Sequence, residues 1–419
     1  MVPKGWEVKT LEQAKITVTD GDRGKDYPKS SEFFDSGYCL FLSAKNVTKN
    51  GFSFLDTQFI SREKHKKLRK GVVKRGDIVL TTRGSVGQFA YYDHTVNFEN
   101  IRINSGMVTL GCSNSELESD FFYALSKSSL ISRQIDSAAF GSAQPQLTVK
   151  IIKSLKLPVP PLREQQKIAK ILSTWDKAIS TTERLIDNST QQKKALMQQL
   201  LTGKKRLLDE SGQRFEGEWE DMELGDVCSR VMEKNNGQST NVVTISAQQG
   251  LIRQEEFFKK SVASELLDNY YVLRRGQFAY NKSYSNGYPM GAIKRLNRYE
   301  DGVVTTLYIC FEIKDLSKTD TDFLEQYFES GLLNRGLTQV AAEGGRAHGL
   351  LNVKPSDFMA LKFKLPTYPE QQKIATVLTN ADKEIDLLEQ QLADLQQEKK
   401  ALMQVLLTGK KRVVVDGEA

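Results

Sequence analysis

The sequence predicts an α+β protein in which two similar domains are each followed by one long helix, and three observations carry that expectation. The chain has 419 residues, more than one hydrophobic core usually organises, so two domains of roughly 100–200 residues each are expected. A segment is written twice, Glu164–Arg206 and Glu370–Arg412, at a constant shift of 206 with no gap and with 25 of 43 positions identical, which marks a duplicated unit. The stretches ahead of both copies mix two-residue alternation with short helical periodicity, the mark of strands and helices together. The order is therefore a domain over 1–157, a helix over 158–207, a second domain over 208–364, and a second helix with its tail over 365–419.

Composition excludes several classes. Hydrophobic residues make up 39% of the chain and charged residues 26%, with mean hydropathy −0.44, which describes a soluble globular protein. No apolar run approaches the length needed to span a bilayer. The stretch from Met1 to Thr10 carries Lys4 and Lys9 without the apolar core of a secretion signal, so a cytoplasmic location is expected. Cys39, Cys112, Cys228 and Cys310 are scattered without a CxxC pair, so neither a zinc site nor a disulfide framework is expected. The net charge of +7 points to an anionic partner, but it is uneven: residues 1–157 carry +7 and 158–207 carry +6, whereas 208–364 carry −4 and 365–419 carry −2. A nucleic acid would therefore be held in the second half by a local patch, not by the overall field.

In chain order, the first domain offers a strand over Asp77–Thr82 and a helix over Asp120–Ile135; the second offers a strand over Val303–Ile313 and a helix over Asp322–Leu337. Short framework strings correspond. Gly5-Trp6-Glu7 answers Glu218-Trp219-Glu220, Lys74-Arg75-Gly76-Asp77 answers Arg274-Arg275-Gly276-Gln277, and Ser119-Asp120-Phe121-Phe122 answers Thr321-Asp322-Phe323-Leu324. Elsewhere the domains differ almost everywhere, while the helices are nearly the same. That contrast suits one spacer carrying two different readers; a duplicated catalyst would be expected to keep its reactive residues.

Each repeated segment reads as a single helix. Proline near its first turn presets φ, Glu164 or Glu370 meets the positive end of the dipole, and Gly203 or Gly409 supplies a left-handed cap ahead of Lys-Lys-Arg. Steps of four and three pick out Ile168, Leu172, Trp175, Ile179, Thr182, Ile186, Ser189, Lys193, Leu196 and Leu200 in the first copy. In the second they pick out Ile374, Leu378, Ala381, Ile385, Leu388, Leu392, Leu395, Lys399, Leu402 and Leu406. A seam repeating every 3.5 residues predicts a coiled coil, with Lys193 and Lys399 fixing register or sitting where the seam opens. About 39 residues at 1.5 Å each give a rod of roughly 58 Å. The partner helix could come from this chain or from a second one.

The string Pro160-Pro161-Leu162-Arg163-Glu164-Gln165-Gln166-Lys167-Ile168-Ala169, the LLTGKKR ending, their recurrence after a second domain, and RGDIVLTTRGSVG from Arg75 together resemble the specificity subunit of type I restriction-modification systems. The resemblance covers essentially the whole chain. It implies that each domain is a target recognition domain reading one half of a bipartite site in double-stranded DNA. It further implies that the two helices pair as an antiparallel coiled coil, set the gap between half-sites and dock two methyltransferase subunits, with restriction subunits (motor and nuclease) joining that core. Because the domains differ, an asymmetric site with a fixed, unread gap is expected.

Candidate DNA contacts follow from residue chemistry. Arg62, Lys64, Lys66, Lys67, Arg69, Lys70, Lys74 and Arg75 form a basic run around His65, suited to phosphates. The glycine-bearing turn with Arg83 and Ser85 brings backbone close and offers a guanidinium to guanine; its counterpart carries Lys282 and Tyr284. Gln144 in one late loop, Arg346 and His348 in the other, and Lys45, Asn46, Gln248 and Gln249 complete the set.

The chain has no G-x-x-x-x-G-K-[ST] loop and no Asn-Pro-Pro-aromatic string, so no cofactor is expected on it; S-adenosylmethionine, ATP and Mg²⁺ are expected in partner subunits. Two other readings stay open. Asp301 with Glu312 and Lys314 has the spacing of a metal-dependent nuclease core. The acidic second half also allows a protein-binding adaptor with a coiled-coil spacer.

Overall fold

A computed structural model of the chain describes residues 2–139, 146–258, 267–341 and 351–415. It divides into two compact units, the first Met1–Glu183 with Gln391–Ala419 and the second Arg184–Gln390. Each unit therefore holds one α+β domain, the beginning of the helix that follows it, and the end of the other long helix. The helices are continuous over Leu162–Leu200 and Tyr368–Leu406, 39 residues each. Both end at a glycine in the left-handed region, Gly203 at φ 69° and Gly409 at φ 72°.

In the first unit the opening strand Glu7–Thr10 pairs antiparallel with Lys156–Val159, the strand that feeds the helix. One four-stranded sheet runs Thr17–Asp20, Met107–Gly111, Ile78–Thr81, Phe89–Tyr91, and every pairing in it is antiparallel. A second sheet orders Phe59–Ile60, Cys39–Leu42, Ile101–Ile103 and Val72–Val73, with the central pair parallel. The second unit repeats the plan: Glu220–Glu223 pairs with Lys362–Leu365, and a four-stranded sheet runs Cys228–Arg230, Ile309–Ile313, Phe278–Asn281, Ala292–Arg295.

The sequence expectation overran three elements. The helix read over Asp120–Ile135 is two, Ser119–Ser126 and Ser129–Ala139, because the Ser128 hydroxyl donates to the Leu125 carbonyl at 2.6 Å and ends the first. The helix read over Asp322–Leu337 is likewise Thr321–Glu329 and Asn334–Val340, separated at Gly331 with φ 73°. The strand read over Val303–Ile313 is Asp301–Val304 and Ile309–Ile313, joined by a turn in which the Tyr308 amide donates to the Thr305 carbonyl.

Helix ends belong to the domain cores. In the first unit Ile168, Leu172, Leu406 and Leu407 lie in one cluster with Leu110, Phe121 and Leu157. In the second unit Ile374, Leu378, Leu200 and Leu201 lie in one with Phe311, Phe323 and Phe363. These are the same four positions displaced by the repeat. Burial of such side chains, about 2 kcal/mol each, explains why the helix termini stayed alike while the surfaces diverged.

The seam is as the steps of four and three marked it. Ile168, Leu172, Thr182, Leu200, Ile374, Leu378 and Leu406 are buried, and Trp175, Ile179, Ile186, Leu196, Ile385, Leu388, Leu392, Leu395 and Leu402 are half-buried. The helix segments pair antiparallel within each unit. Asp176 meets Lys399 at 2.5 Å in the first, and Asp382 meets Lys193 in the second. The lysines that interrupt the seam thus reach carboxylates on the facing helix, which fixes register.

Candidate nucleic-acid interface

Each domain is clasped to the helices by one repeated set of polar contacts. In the first unit the Trp6 indole donates to Glu164 at 3.2 Å, and the Arg412 guanidinium donates to both oxygens of that carboxylate. In the second, Trp219 donates to Glu370 at 3.2 Å and Arg206 donates at 2.5 and 2.7 Å. Glu164 is 2% exposed and Glu370 0%. A buried carboxylate is tolerable only with a geometry this complete. Gln165 and Gln371 do parallel work: each side-chain oxygen accepts from a domain amide, Glu118 or Asp320, at 3.0 and 2.8 Å. The sequence places Glu164 and Glu370 at the positive end of the helix dipole and Lys-Lys-Arg at its negative end, beyond the glycine cap. The matching Gly-Trp-Glu and Glu-Trp-Glu strings were the signal that these residues meet.

Both domains make one further matching contact at the glycine-bearing turn. In the first, the Leu147 amide donates to the Thr82 carbonyl at 3.1 Å, and in the second the Leu351 amide donates to the Lys282 carbonyl at 2.9 Å. The segment that begins at Leu147 or Leu351 is thus tied to the glycine-bearing turn in each. Arg83 and Ser85 are exposed on that turn, with Gly84 at φ 72° and Gly87 at φ 85°. The Gln146 carboxamide, oriented so that its oxygen faces the guanidinium, accepts from Arg83 at 3.2 and 2.9 Å. In the second domain Tyr284 is 65% exposed, Lys282 half-buried, and exposed Gln248 donates to the Asn286 carbonyl at 3.3 Å, so three of the candidates share one edge. Gln144, Arg346 and His348 lie outside the described residues.

Two candidates in the first domain part company. Lys45 is exposed and paired with Asp56 at 2.6 Å. Asn46, read as a base contact, is 1% exposed, and its amide donates to the Ser53 and Asp56 carbonyls at 3.0 and 2.7 Å. It shapes the loop and reaches nothing outside, which removes it from the interface.

The basic run forms the short helix Arg62–Lys67, capped by the Ser61 hydroxyl. Lys66, Lys67, Arg69 and Lys70 are exposed, whereas Lys64 pairs with Glu32 at 2.9 Å. Beneath it, Arg102 is 4% exposed and donates to the carbonyls of His65, Leu68 and Lys70 and to His65 Nδ1. This guanidinium neutralises the helix's negative end. Burial and the neighbouring Arg102 hold His65 below the ordinary imidazole range.

The nuclease spacing dissolves in three dimensions. Asp301 accepts from the Ser239 hydroxyl, Glu312 accepts from Gln277 at 2.8 Å, and Lys314 donates to the Gly225 carbonyl, so each has a separate partner. No group of three or more potential metal ligands occurs among the described residues. Burial pushes the Cys39, Cys228 and Cys310 thiols up to about 12 and Cys112 to about 11, far from the thiolate a nucleophile needs. No helix among the described residues is long and apolar enough to cross a membrane.

Two unlike binding heads, each clasped by the same contacts to a helix written twice, define a two-headed recognition protein. The chain belongs to the family described as the type I restriction modification DNA specificity domain, which matches residues 3–188 and again 216–397. It is 26% identical over 98% of its length to the type I restriction enzyme MjaVIII specificity subunit of Methanocaldococcus jannaschii, covering 94% of that protein. It is 24% identical, over 98% of its length and 95% of the other, to the putative MjaX specificity subunit of the same organism. Among solved structures it resembles the type I restriction-modification S subunit of M. genitalium, at TM-score 0.58 and 15% identity over 97% and 96% of the two chains. A chain solved in work on complex assembly and conformational transition of the type I R-M system superposes at TM-score 0.54 and 16% identity, over 98% and 100%.

Proposed function

We infer that this chain is the DNA sequence-specificity subunit of a type I restriction-modification system and that it catalyses no reaction itself. Its two domains, 1–157 and 208–364, read the two halves of a divided site in double-stranded DNA. The observation that carries the reading is the contrast between the repeated clasp, Trp6–Glu164–Arg412 against Trp219–Glu370–Arg206, and the unlike loops each domain presents. A retained attachment with divergent heads suits two different recognition tasks on one frame.

In this proposal Arg83, Ser85, Lys282, Tyr284 and Gln248 reach the grooves. Lys67 and Arg69 take phosphates, as does Lys45 once Asp56 yields it, and Gln144, Arg346 and His348 are further DNA contacts by their chemistry. The helix pair sets the gap between half-sites and docks two methyltransferase subunits, to which restriction subunits are added. S-adenosylmethionine, ATP and Mg²⁺ serve those partners, and the assembly works on DNA in the cytoplasm. An adaptor that binds only protein would leave the exposed guanidinium, amide and tyrosine groups of these edges without a task.

Methylation mapping in cells that carry this chain with its methyltransferase tests the proposal. The expected result is a two-part asymmetric motif with a gap of fixed length; a continuous palindrome would contradict it.

A further inference from the structure

A cleft of about 1120 Å³ opens in the first unit between its domain and the two helix segments built into that unit. Its walls include Tyr91 and Tyr123, the apolar side chains of Leu172 and Met403, and the ammonium of Lys127. Lys127 lies over the Tyr123 ring at 4.2 Å. Burial pulls its pKa below the ordinary lysine range, against a weaker opposing pull from Asp176. Asp176 is itself held by Lys399 at 2.5 Å. A half-desolvated ammonium compensated chiefly by a ring face is an incomplete arrangement.

The second unit contains the completed version. Lys294 lies over the Tyr288 ring at 4.6 Å, and there Glu329 accepts from the lysine at 2.5 Å and from the tyrosine hydroxyl at 2.7 Å. Carrying the match of Phe121 with Phe323 forward along the helix, Lys127 stands at the position of Glu329 and Ala124 at that of Gln326. Gln326 fills its place by donating to Asp382 at 2.7 Å. The second unit thus gives its lysine a carboxylate of its own, whereas in the first the carboxylate that draws on Lys127, Asp176, is already paired with Lys399.

We propose that the first unit's cleft receives an acidic side chain from a partner protein, which completes the lysine-on-tyrosine pair as Glu329 does in the second unit. This rests on the reading that the chain docks methyltransferase subunits, and it makes the two units unequal in that docking. Seven basic side chains line the cleft against four acidic ones, which suits an acidic partner, and the half-buried Met403 and tyrosine rings suit a carboxylate carried on an aliphatic stem in a folded segment.

The test is zero-length carbodiimide cross-linking of the full chain in complex with its methyltransferase, read by mass spectrometry, beside amine labelling with and without each partner. Lys127 should cross-link to an aspartate or glutamate of the methyltransferase and lose labelling in the complex. Lys127→Met should weaken assembly about tenfold, the scale of losing one desolvated charge pair, with DNA sequence preference unchanged. Unaltered labelling of Lys127 in a formed complex would overturn the inference, as would protection by duplex DNA alone. Failure of the unmodified chain to assemble at all would take the inference down with the docking reading it rests on.

Discussion

The two units share a frame and differ in how their charged groups are partnered. Both hold a buried glutamate between an indole and a guanidinium, but Arg206 in the second unit is 18% exposed and Arg412 in the first 45%. Asp382 takes both Lys193 and Gln326, whereas Asp176 takes Lys399, and alanine stands at the position of Gln326. The second unit pairs its lysine with a carboxylate of its own, although Arg295 Nε and Gln326 Oε1 are buried without a hydrogen-bond partner; the first leaves charge facing a cleft. Duplication therefore preserved the attachment, where any change strands a buried charge, and released the remaining surface to diverge.

The largest expected effect breaks the attachment itself. Glu370→Ala should cost about 3 kcal/mol and Glu164→Ala about 2, since each removes the carboxylate that an arginine and an indole N–H share, and Arg412 retains more solvent than Arg206. Urea unfolding followed through Trp219, in the second unit, and through Trp6 and Trp175, in the first, should assign each loss to its own unit.

Next comes the division of reading. Arg83→Ala should weaken binding by about 2 kcal/mol for the half-site read by the first domain, and Tyr284→Ala should act on the other. Equilibrium binding to duplexes altered in one half at a time checks this, and equal losses on unrelated DNA would reduce either residue to a backbone contact.

A smaller difference sharpens the comparison of the helix contacts. Asp382→Ala removes two partners and should cost about 1.5 kcal/mol, with Asp176→Ala nearer 0.5; the same unfolding signals resolve them. The smallest effect is confined to the first domain. The folded state holds His65 below its ordinary value of 6.5, so it favours the neutral ring. Its contribution is present above that value and is lost as pH falls through the lowered folded value. Thermal unfolding between pH 7 and 5 should show a decline that His65→Asn reduces.

The repeat, the helix lengths and the seam were legible because they rest on local periodicity. Lys193 and Lys399 were recognisable as register devices, but their acidic partners were not, since Asp382 and Asp176 lie far away in sequence and meet them only once the helices pair. Helices and strands came out too long where a single serine hydroxyl, a glycine or a short turn ends them, signals that carry little weight in a periodicity count. Asn46 was misassigned because a polar side chain in a loop looks solvated until the carbonyls it binds are known. The bonds of Leu147 and Leu351 to the glycine-bearing turns reach back more than 60 residues, and nothing in local pattern indicates them.

The central claim is that two unlike reading domains are held at a set pitch by helices written twice. Inserting one matched heptad in each long helix should lengthen the pair by about 10 Å, and methylation mapping of the variant is the direct measurement. The account predicts both half-sites unchanged and the gap between them widened by about three base pairs at 3.4 Å each. An unchanged gap, with methylation intact, would contradict it.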